Sequence, residues 1–270
     1  MKRVFSHPLT AIVIGFFLRG FFLLRLPSTA GDTTLYETLS ENWVENGTYG
    51  IPVGGVLTPV DIRMPGYPGY LALVHILAGF GGEAARFWVM LGQVFIDLGC
   101  CLLIAELARR CCGRYENSRA AYRAALWLAA LCPFTANYTA VPLTETLTVF
   151  WTALALAMLV PMVNQETASG RSSKWEGLSR RSRYLRSAFF AGIATGLATL
   201  FRPESPLLLV SCLPVVLWVA FARDRLGRGM RAAALACLGC MVVLLPWAIR
   251  NSLTLREFEL LTPRSRRVPR

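Results

Sequence analysis

Residues 32–67 read DTTLYETLSENWVENGTYGIPVGGVLTPVDIRMPGY and form a long polar segment directly after the first apolar run. The segment holds five acidic residues: Asp32, Glu37, Glu41, Glu45 and Asp61. Its only basic residue is Arg63. A large polar loop held between apolar runs is where a protein of this type usually carries its chemistry. We therefore expect this acidic loop, residues 28–66, to be the segment around which the chain is organised.

The composition is that of an integral membrane protein. The 270 residues are 54% hydrophobic and 16% charged, whereas soluble domains carry about a quarter charged residues. The net charge of +12 does not form one basic patch. It falls in short clusters between apolar runs, as the positive-inside rule predicts. This distribution excludes nucleic-acid binding.

The apolar runs predict an all-α polytopic protein with about seven transmembrane helices. The expected spans are 9–26, 84–107, 120–132, 144–162, 187–201, 205–222 and 232–249. Residues 67–80 are too short to cross comfortably, and a crossing there would place the basic run 109–114 outside. We therefore predict a re-entrant or interfacial segment at 67–80. Lys2 and Arg3 place the N-terminus in the cytoplasm.

The residues after Asp32 have the pattern of an amphipathic helix. Apolar residues recur at helical spacing and acids line another face: Leu35, Leu39 and Trp43, and Glu37, Glu41 and Glu45. Asp32 can cap the helix at Thr33, and Asn46-Gly47 is a natural stop. We expect this helix to lie on the membrane surface.

The acidic face of that helix is most simply solvated, although a divalent metal can also bridge three carboxylates. His7 and His75 are isolated, so no histidine cluster is present to bind a metal. The sequence alone therefore predicts no metal-ligand set, and a divalent metal remains an open alternative.

Two charged residues fall inside predicted spans, and the chain ends in a basic tail. Arg19 and Asp97 are either an internal packing pair or residues of a wet cavity, and a cavity favours a carrier. We expect residues 1–250 to form one transmembrane module. Residues 251–270 are a basic tail that we expect to be poorly ordered.

The predicted topology brings six charged residues to the outer side: Asp32, Asp61, Arg63, Glu145, Arg202 and Arg250. Arginine contacts a phosphate bidentately, and a carboxylate can act as general base on a hydroxyl or amine. Together they suit transfer of a group from a lipid phosphate. Simpler roles stay open: helix capping for Asp32 and Glu145, a fixed turn for Arg63, and interface anchoring for Arg202 and Arg250.

Several short motifs resemble the bacterial glycosyltransferase family 39 of the GT-C superfamily, to which the protein O-mannosyltransferases and lipid A aminoarabinose transferases are related. They are Asp32-x-x-x-Tyr36 with Trp43 and Gly47, Arg63-Met-Pro-Gly-Tyr-Pro, Thr144-Glu-Thr-Leu147, Gly196-Leu-Ala198 leading to Arg202-Pro203, and Pro246-Trp-x-x-Arg250-Asn251. Each motif is weak alone, and the resemblance rests on their order from about residue 9 to 260.

The resemblance implies a membrane glycosyltransferase of the bacterial inner membrane. Such an enzyme takes a sugar from a polyprenyl-phosphate-sugar donor and transfers the sugar to an acceptor on the outer face of the membrane. It implies Asp32 as catalytic base, with Glu145 and Asp61 as further candidate acids and Arg63, Arg202 and Arg250 as donor-phosphate ligands. Family members usually continue for further spans, so the resemblance implies a fragment, a truncated product or a minimal member. The alternative is a non-catalytic membrane protein, either a lipid-linked-sugar carrier or a partner subunit.

Overall fold

The computed structural model describes residues 7–112, 117–167, 174–222 and 225–255, with side chains described outside 161–181. Within these ranges the chain forms helices and one short hairpin. The elements are α1 (Pro8–Arg25), α2 (Thr33–Asn46), β1 (Gly50–Val53), β2 (Val56–Pro59), α3 (Gly66–Ala78), α4 (Gly82–Cys111), α5 (Ser118–Ala130), α6 (Pro133–Tyr138), α7 (Glu145–Thr167), α8 (Lys174–Phe201), α9 (Leu207–Phe221) and α10 (Leu226–Leu255).

Helices form at all seven predicted spans, which confirms the all-α polytopic membrane fold. Among the described residues, α1, α4, α10 and the Ser182–Phe201 part of α8 are long and apolar enough to cross a membrane. The apolar part of α7 and the whole of α9 are shorter. Helix α5 has 13 residues and measures about 20 Å, less than the ~30 Å of a hydrocarbon core. Helix α5 taken alone is therefore shorter than a full span.

Three of the four helices after α6, namely α7, α8 and α10, are longer than predicted, whereas α9 is slightly shorter than its predicted span 205–222. Helix α7 runs to Thr167 and α8 begins at Lys174, so much of the predicted loop 163–186 is helical. Polar helix formers such as Gln165 and Arg183 continue a helix beyond its apolar part, which a hydropathy boundary does not detect. Helix α10 likewise continues to Leu255, five residues into the predicted tail. Residues 256–270 of that tail, and the basic side chains predicted between 171 and 181, lie outside the description.

The outer loop contains the predicted helix and an unpredicted hairpin. Helix α2 ends at Gly47, which has a left-handed φ of 65°, as the Asn-Gly stop predicts. Strands β1 and β2 then pair antiparallel, with Val53 opposite Val56. The two turn residues between them, Gly54 and Gly55, have φ of 58° and 85°. A two-residue hairpin turn of this kind needs positive φ at both positions, which glycine adopts without strain.

Two further short helices, α3 and α6, lie between the predicted spans. The interfacial segment 67–80 is helix α3, with 13 residues. The segment between the predicted spans 120–132 and 144–162 contains α6, which starts at Pro133. Proline is favoured at the first position of a helix because its fixed φ suits the helix and its missing N–H needs no partner there.

Helices α8 and α10 pack most extensively of all pairs. Small residues permit this close packing: a β-carbon at Gly192 would overlap the carbonyl oxygen of Ala236, and one at Gly239 that of Phe189. The core between these helices extends outward to Tyr49 of the loop. The outer loop and the helix pair therefore share one core, which fixes the loop on the bundle.

Arg19 and Asp97 form a fully buried network between α1, α4 and α5. Arg19 Nε donates to Asp97 Oδ2 at 2.7 Å, and Arg19 Nη1 donates to the carbonyls of Gly15 and Ala130 at 3.0 and 2.8 Å. Arg19 is 0% exposed and Asp97 is 4% exposed. Of the two alternatives, the structure supports an internal pair.

Replacing Asp97 by Asn should lower the free energy of unfolding by roughly 3–5 kcal/mol, because it leaves the buried guanidinium without its counter-charge. The double variant Arg19→Gln/Asp97→Asn should lose less than the sum of the two single losses. Denaturant unfolding in detergent, followed by circular dichroism, measures all four proteins. Losses that simply add would show that the two side chains act independently.

Candidate active site at the outer end of the bundle

Behind the candidate site, the buried side-chain amide of Gln93 on α4 joins several segments by hydrogen bonds. Gln93 accepts a hydrogen bond from Tyr67 Oη at 2.8 Å and donates to the carbonyls of Thr139 and Val141 at 3.1 and 2.9 Å. The Thr33 hydroxyl donates to the carbonyl of Pro142 at 3.2 Å. These bonds set the start of α2, helix α3 and the turn before α7 against α4.

The acidic face of α2 is not a solvated face throughout, and this part of the sequence interpretation is wrong for Glu37. Glu37 is 8% exposed and accepts two hydrogen bonds from Arg86 of α4, Nε to Oε1 at 2.6 Å and Nη2 to Oε2 at 2.8 Å. The bidentate pair satisfies the buried carboxylate. Glu37 therefore anchors α2 to α4, while Glu45 is exposed.

Asp32 lies at the N-cap of α2, but its side chain makes no capping hydrogen bond. Its Oδ1 instead accepts from Arg63 Nη2 at 2.7 Å. The side chains of Asp32 and Arg63 are 48% and 37% exposed. Burial lowers the pKa of Arg63, but the hydrogen bond and charge of Asp32 outweigh burial and raise that pKa above its ordinary value. The carboxylate is thus paired and still open to solvent.

A second pair of the same kind joins α7 to the end of α8. Glu145 is the first residue of α7, and its Oε1 accepts from Arg202 Nη2 at 2.5 Å. Arg202 Nε also donates to the Thr144 hydroxyl at 3.2 Å. Both side chains keep part of their surface exposed. Glu145 therefore has a cation partner in addition to the favourable position at a helix N-terminus.

Tyr36 lies within electrostatic range of both pairs. Burial raises the pKa of the Tyr36 phenol, and the charges of Asp32 and Glu145 raise it further, while Arg63 opposes them. The phenol therefore stays protonated at neutral pH and can donate a hydrogen bond. Asp32 and Tyr36 are four residues apart, so the helical spacing itself predicts that they share a face.

Arg250 fixes the hairpin. Its Nη1 and Nη2 donate to the carbonyls of Val60 and Tyr49, both at 2.8 Å, and its guanidinium lies over the rings of Tyr49 and Trp247 at 5.4 and 5.0 Å. Arg250 also lines a pocket of about 390 Å³ with Trp43, Tyr49 and Trp247. Its described contacts are those of a residue that positions the loop and shapes this pocket.

All six residues selected from the sequence lie at the same end of the bundle, but not in one cluster. Asp32 with Arg63 and Glu145 with Arg202 form the two accessible pairs. Asp61, by contrast, is buried and only 3% exposed. The sequence reasoning did not assign roles to Tyr36, Thr144 and Gln93; only the spacing of Tyr36 from Asp32 and the position of Thr144 beside Glu145 offered a signal.

The three glutamates of α2 do not converge on a metal position. Among the described residues, no group of three or more His, Cys, Asp or Glu side chains is arranged to hold a metal ion. Glu37 is instead bound to Arg86. Asp32, Glu37 and Glu145 thus have arginine partners, whereas a metal site needs carboxylates directed at a common point.

Comparison with known proteins gives similarity in structure but not in sequence. No protein-family model matches the chain, and no curated protein matches it. Among solved structures, the chain is similar to the oligosaccharyltransferase of Archaeoglobus fulgidus, solved tethered to an acceptor peptide containing the NVT sequon via a disulfide bond. The TM-score is 0.51 at 15% identity, over 93% of this chain and 35% of the archaeal one.

This likeness concerns the fold. It shows that this chain folds like a part of the archaeal enzyme, and it does not bear on family 39. The chain spans about a third of the length of the archaeal enzyme. What that enzyme acts on is therefore not transferred to this chain by the comparison.

Replacing Arg250 by Gln should speed hydrogen exchange of the β1 and β2 amides by at least about tenfold, because hydrogen bonds from a charged donor contribute roughly 1.5–3 kcal/mol. Hydrogen-exchange mass spectrometry of the peptides covering 50–59 measures the change. Arg231→Gln, an exposed position at the other end of α10, is the matched control. Equal exchange in both variants would remove Arg250 as the residue that fixes the hairpin.

Proposed function

We propose that this chain is a GT-C-type membrane glycosyltransferase, of the family 39 kind, that moves a sugar from a polyprenyl-phosphate donor to an acceptor. The observation that carries the proposal is the pairing of two accessible carboxylates with two accessible arginines, Asp32–Arg63 and Glu145–Arg202, at one end of the bundle. The fold similarity to an oligosaccharyltransferase supports the same class of reaction.

The reaction needs one base and one phosphate site. Asp32 takes the proton from the acceptor hydroxyl or amine, and the acceptor atom attacks C1 of the sugar. The bond from C1 to the phosphate oxygen breaks, and the electron pair leaves with the polyprenyl phosphate. Attack opposite the leaving group inverts C1. Glu145 is the second candidate acid, and we assign Asp61, which is buried, a supporting role.

The leaving phosphate gains negative charge, and arginine stabilises that charge through paired N–H donors. Arg63 and Arg202 keep 37% and 46% of their side-chain surface exposed, so each can reach a ligand. Arg250 already donates to two backbone carbonyls and to Asn251 Oδ1. We therefore assign the phosphate to Arg63 and Arg202, and assign Arg250 to shaping the adjacent pocket.

We place the site on the outer face of a bacterial inner membrane, with the N-terminus in the cytoplasm. The support is the distribution of charge. The end of the bundle opposite the site carries exposed arginines at the end of α4 and in the first turns of α5, which the positive-inside rule assigns to the cytoplasm. The donor then lies with its phosphate in the outer leaflet.

A carrier is the weaker alternative. Its support was the position of Arg19 and Asp97 inside predicted spans, where a transport site is expected. In the structure these two residues are fully buried and bonded to each other and to backbone carbonyls. Such a network suits helix packing, whereas the two pairs of the candidate site are accessible and lie at the outer end of the bundle.

Replacing Asp32 by Asn should lower sugar transfer at least about 100-fold, because general-base catalysis contributes 10²- to 10⁴-fold. The measurement is transfer of radiolabelled sugar from a panel of polyprenyl-phosphate sugars in membranes that carry the chain. Glu45→Gln is the matched control, since it makes the same change at an exposed position of the same helix. It should transfer at the native rate.

The two arms test different parts of the proposal. Normal transfer by Asp32→Asn, beside an active native chain, would exclude Asp32 as the base and leave the transferase intact. Absence of transfer from every donor by a well-inserted native chain would contradict the transferase itself.

A further inference from the structure

A second charged pocket lies at the opposite end of the bundle from the candidate active site. It has a volume of about 480 Å³ and is lined by Pro8, Arg109, Arg119, Tyr122 and Arg123. The volume falls within the roughly 300–1,000 Å³ of small-ligand sites. The lining residues come from the start of α1, the end of α4 and the first turns of α5, so three helices meet at this pocket.

Two of the three arginines that line the pocket have no carboxylate partner among the described residues. Arg109 is held by Glu106, through Nε to Oε2 and Nη2 to Oε1, both at 2.6 Å. Within the described ranges, no carboxylate pairs with Arg119 or Arg123. Both of these side chains are exposed. The pocket therefore offers guanidinium donors to an anion.

Helix ends add to this positive potential. Pro8 is the first residue of α1, and Arg119 is the second residue of α5. The N-terminal end of a helix carries unpaired N–H groups and the positive end of its dipole. Two such ends beside three arginines favour a phosphate, with Tyr122 as a further hydroxyl donor.

An exposed apolar stripe leads away from the pocket along α1. Leu9, next to Pro8, is 69% exposed, and Val13 and Phe16 are 43% and 37% exposed. Their spacing of four and then three residues places them on one face of the helix. A free phosphate has no use for such a surface, whereas an acyl chain attached to the phosphate can lie along it.

We propose that this pocket binds the head group of an anionic phospholipid, with the phosphate on Arg119 and Arg123 and an acyl chain along the α1 stripe. The ligand chemistry is a phosphate diester bearing a hydrocarbon tail. Basic pockets between transmembrane helices are suited to such head groups. The site is separate from the active site and does not depend on the proposed transfer reaction.

The test is lipid titration of the full chain in a neutral detergent, with binding measured by native mass spectrometry. Phosphatidylglycerol should bind more tightly than phosphatidylcholine with the same acyl chains. Arg119→Gln/Arg123→Gln should weaken phosphatidylglycerol binding about 30-fold, from about fivefold for each arginine near a head group. Should the double variant fail to fold by circular dichroism, Arg123→Gln alone carries the test with an expected loss of about fivefold.

The control variant is Arg183→Gln/Arg231→Gln, which removes the same charge from exposed positions at the same end of the bundle, outside the pocket. It should bind phosphatidylglycerol with the native affinity. Equal weakening in the control pair would overturn the pocket, since general charge would then explain the preference. Displacement of the lipid by millimolar inorganic phosphate would overturn the phospholipid as ligand, because the site would then recognise the free anion.

Discussion

The structure depends on one constraint: where a helix is interrupted and its backbone carbonyls are buried away from water, those carbonyls must find other hydrogen-bond donors. Polar side chains of rigid helices supply these donors. Gln93 of α4 donates to carbonyls in the turn before α7, and Arg250 of α10 donates to the carbonyls on both sides of the hairpin. Arg19 of α1 donates to a carbonyl at the end of α5. Each bond positions a loop relative to a helix, so the irregular outer segments have a defined place.

Because the loops have fixed positions, ion pairs of similar composition differ in exposure and therefore in role. Arg19–Asp97 is fully buried, so breaking it is costly and its role is packing. Asp32–Arg63 and Glu145–Arg202 are partly exposed, so they contribute little to stability and remain available to a ligand. The distinction between a structural pair and a candidate catalytic pair lies in the exposure that the loops impose, and not in the residue types.

Local patterns predicted the fold, and long-range pairing limited the prediction of the site. Hydropathy located the helices, and Asn46-Gly47 located the end of α2, because both signals lie within a few residues. Glu37 was predicted to be solvated because its partner Arg86 lies 49 residues away on another helix. The hairpin was missed although Gly54-Gly55 is a turn signal, since Pro52 and Pro59 interrupt the strand pattern. Asp32 and Arg63 are 31 residues apart, and the fold of the intervening α2 and hairpin brings the two side chains together.

Under the proposed reaction, the Asp32–Arg63 pair also links donor binding to the base. The guanidinium that would hold the donor phosphate is the one that now donates to Asp32. An arriving phosphate competes for the same N–H groups, and a carboxylate that loses a hydrogen bond from a cation is a stronger base. Arg202, which is paired with Glu145, would give the phosphate a second contact. While the donor is absent, Asp32 therefore stays hydrogen-bonded to Arg63. This bond limits the reactivity of the carboxylate until both substrates can be in place.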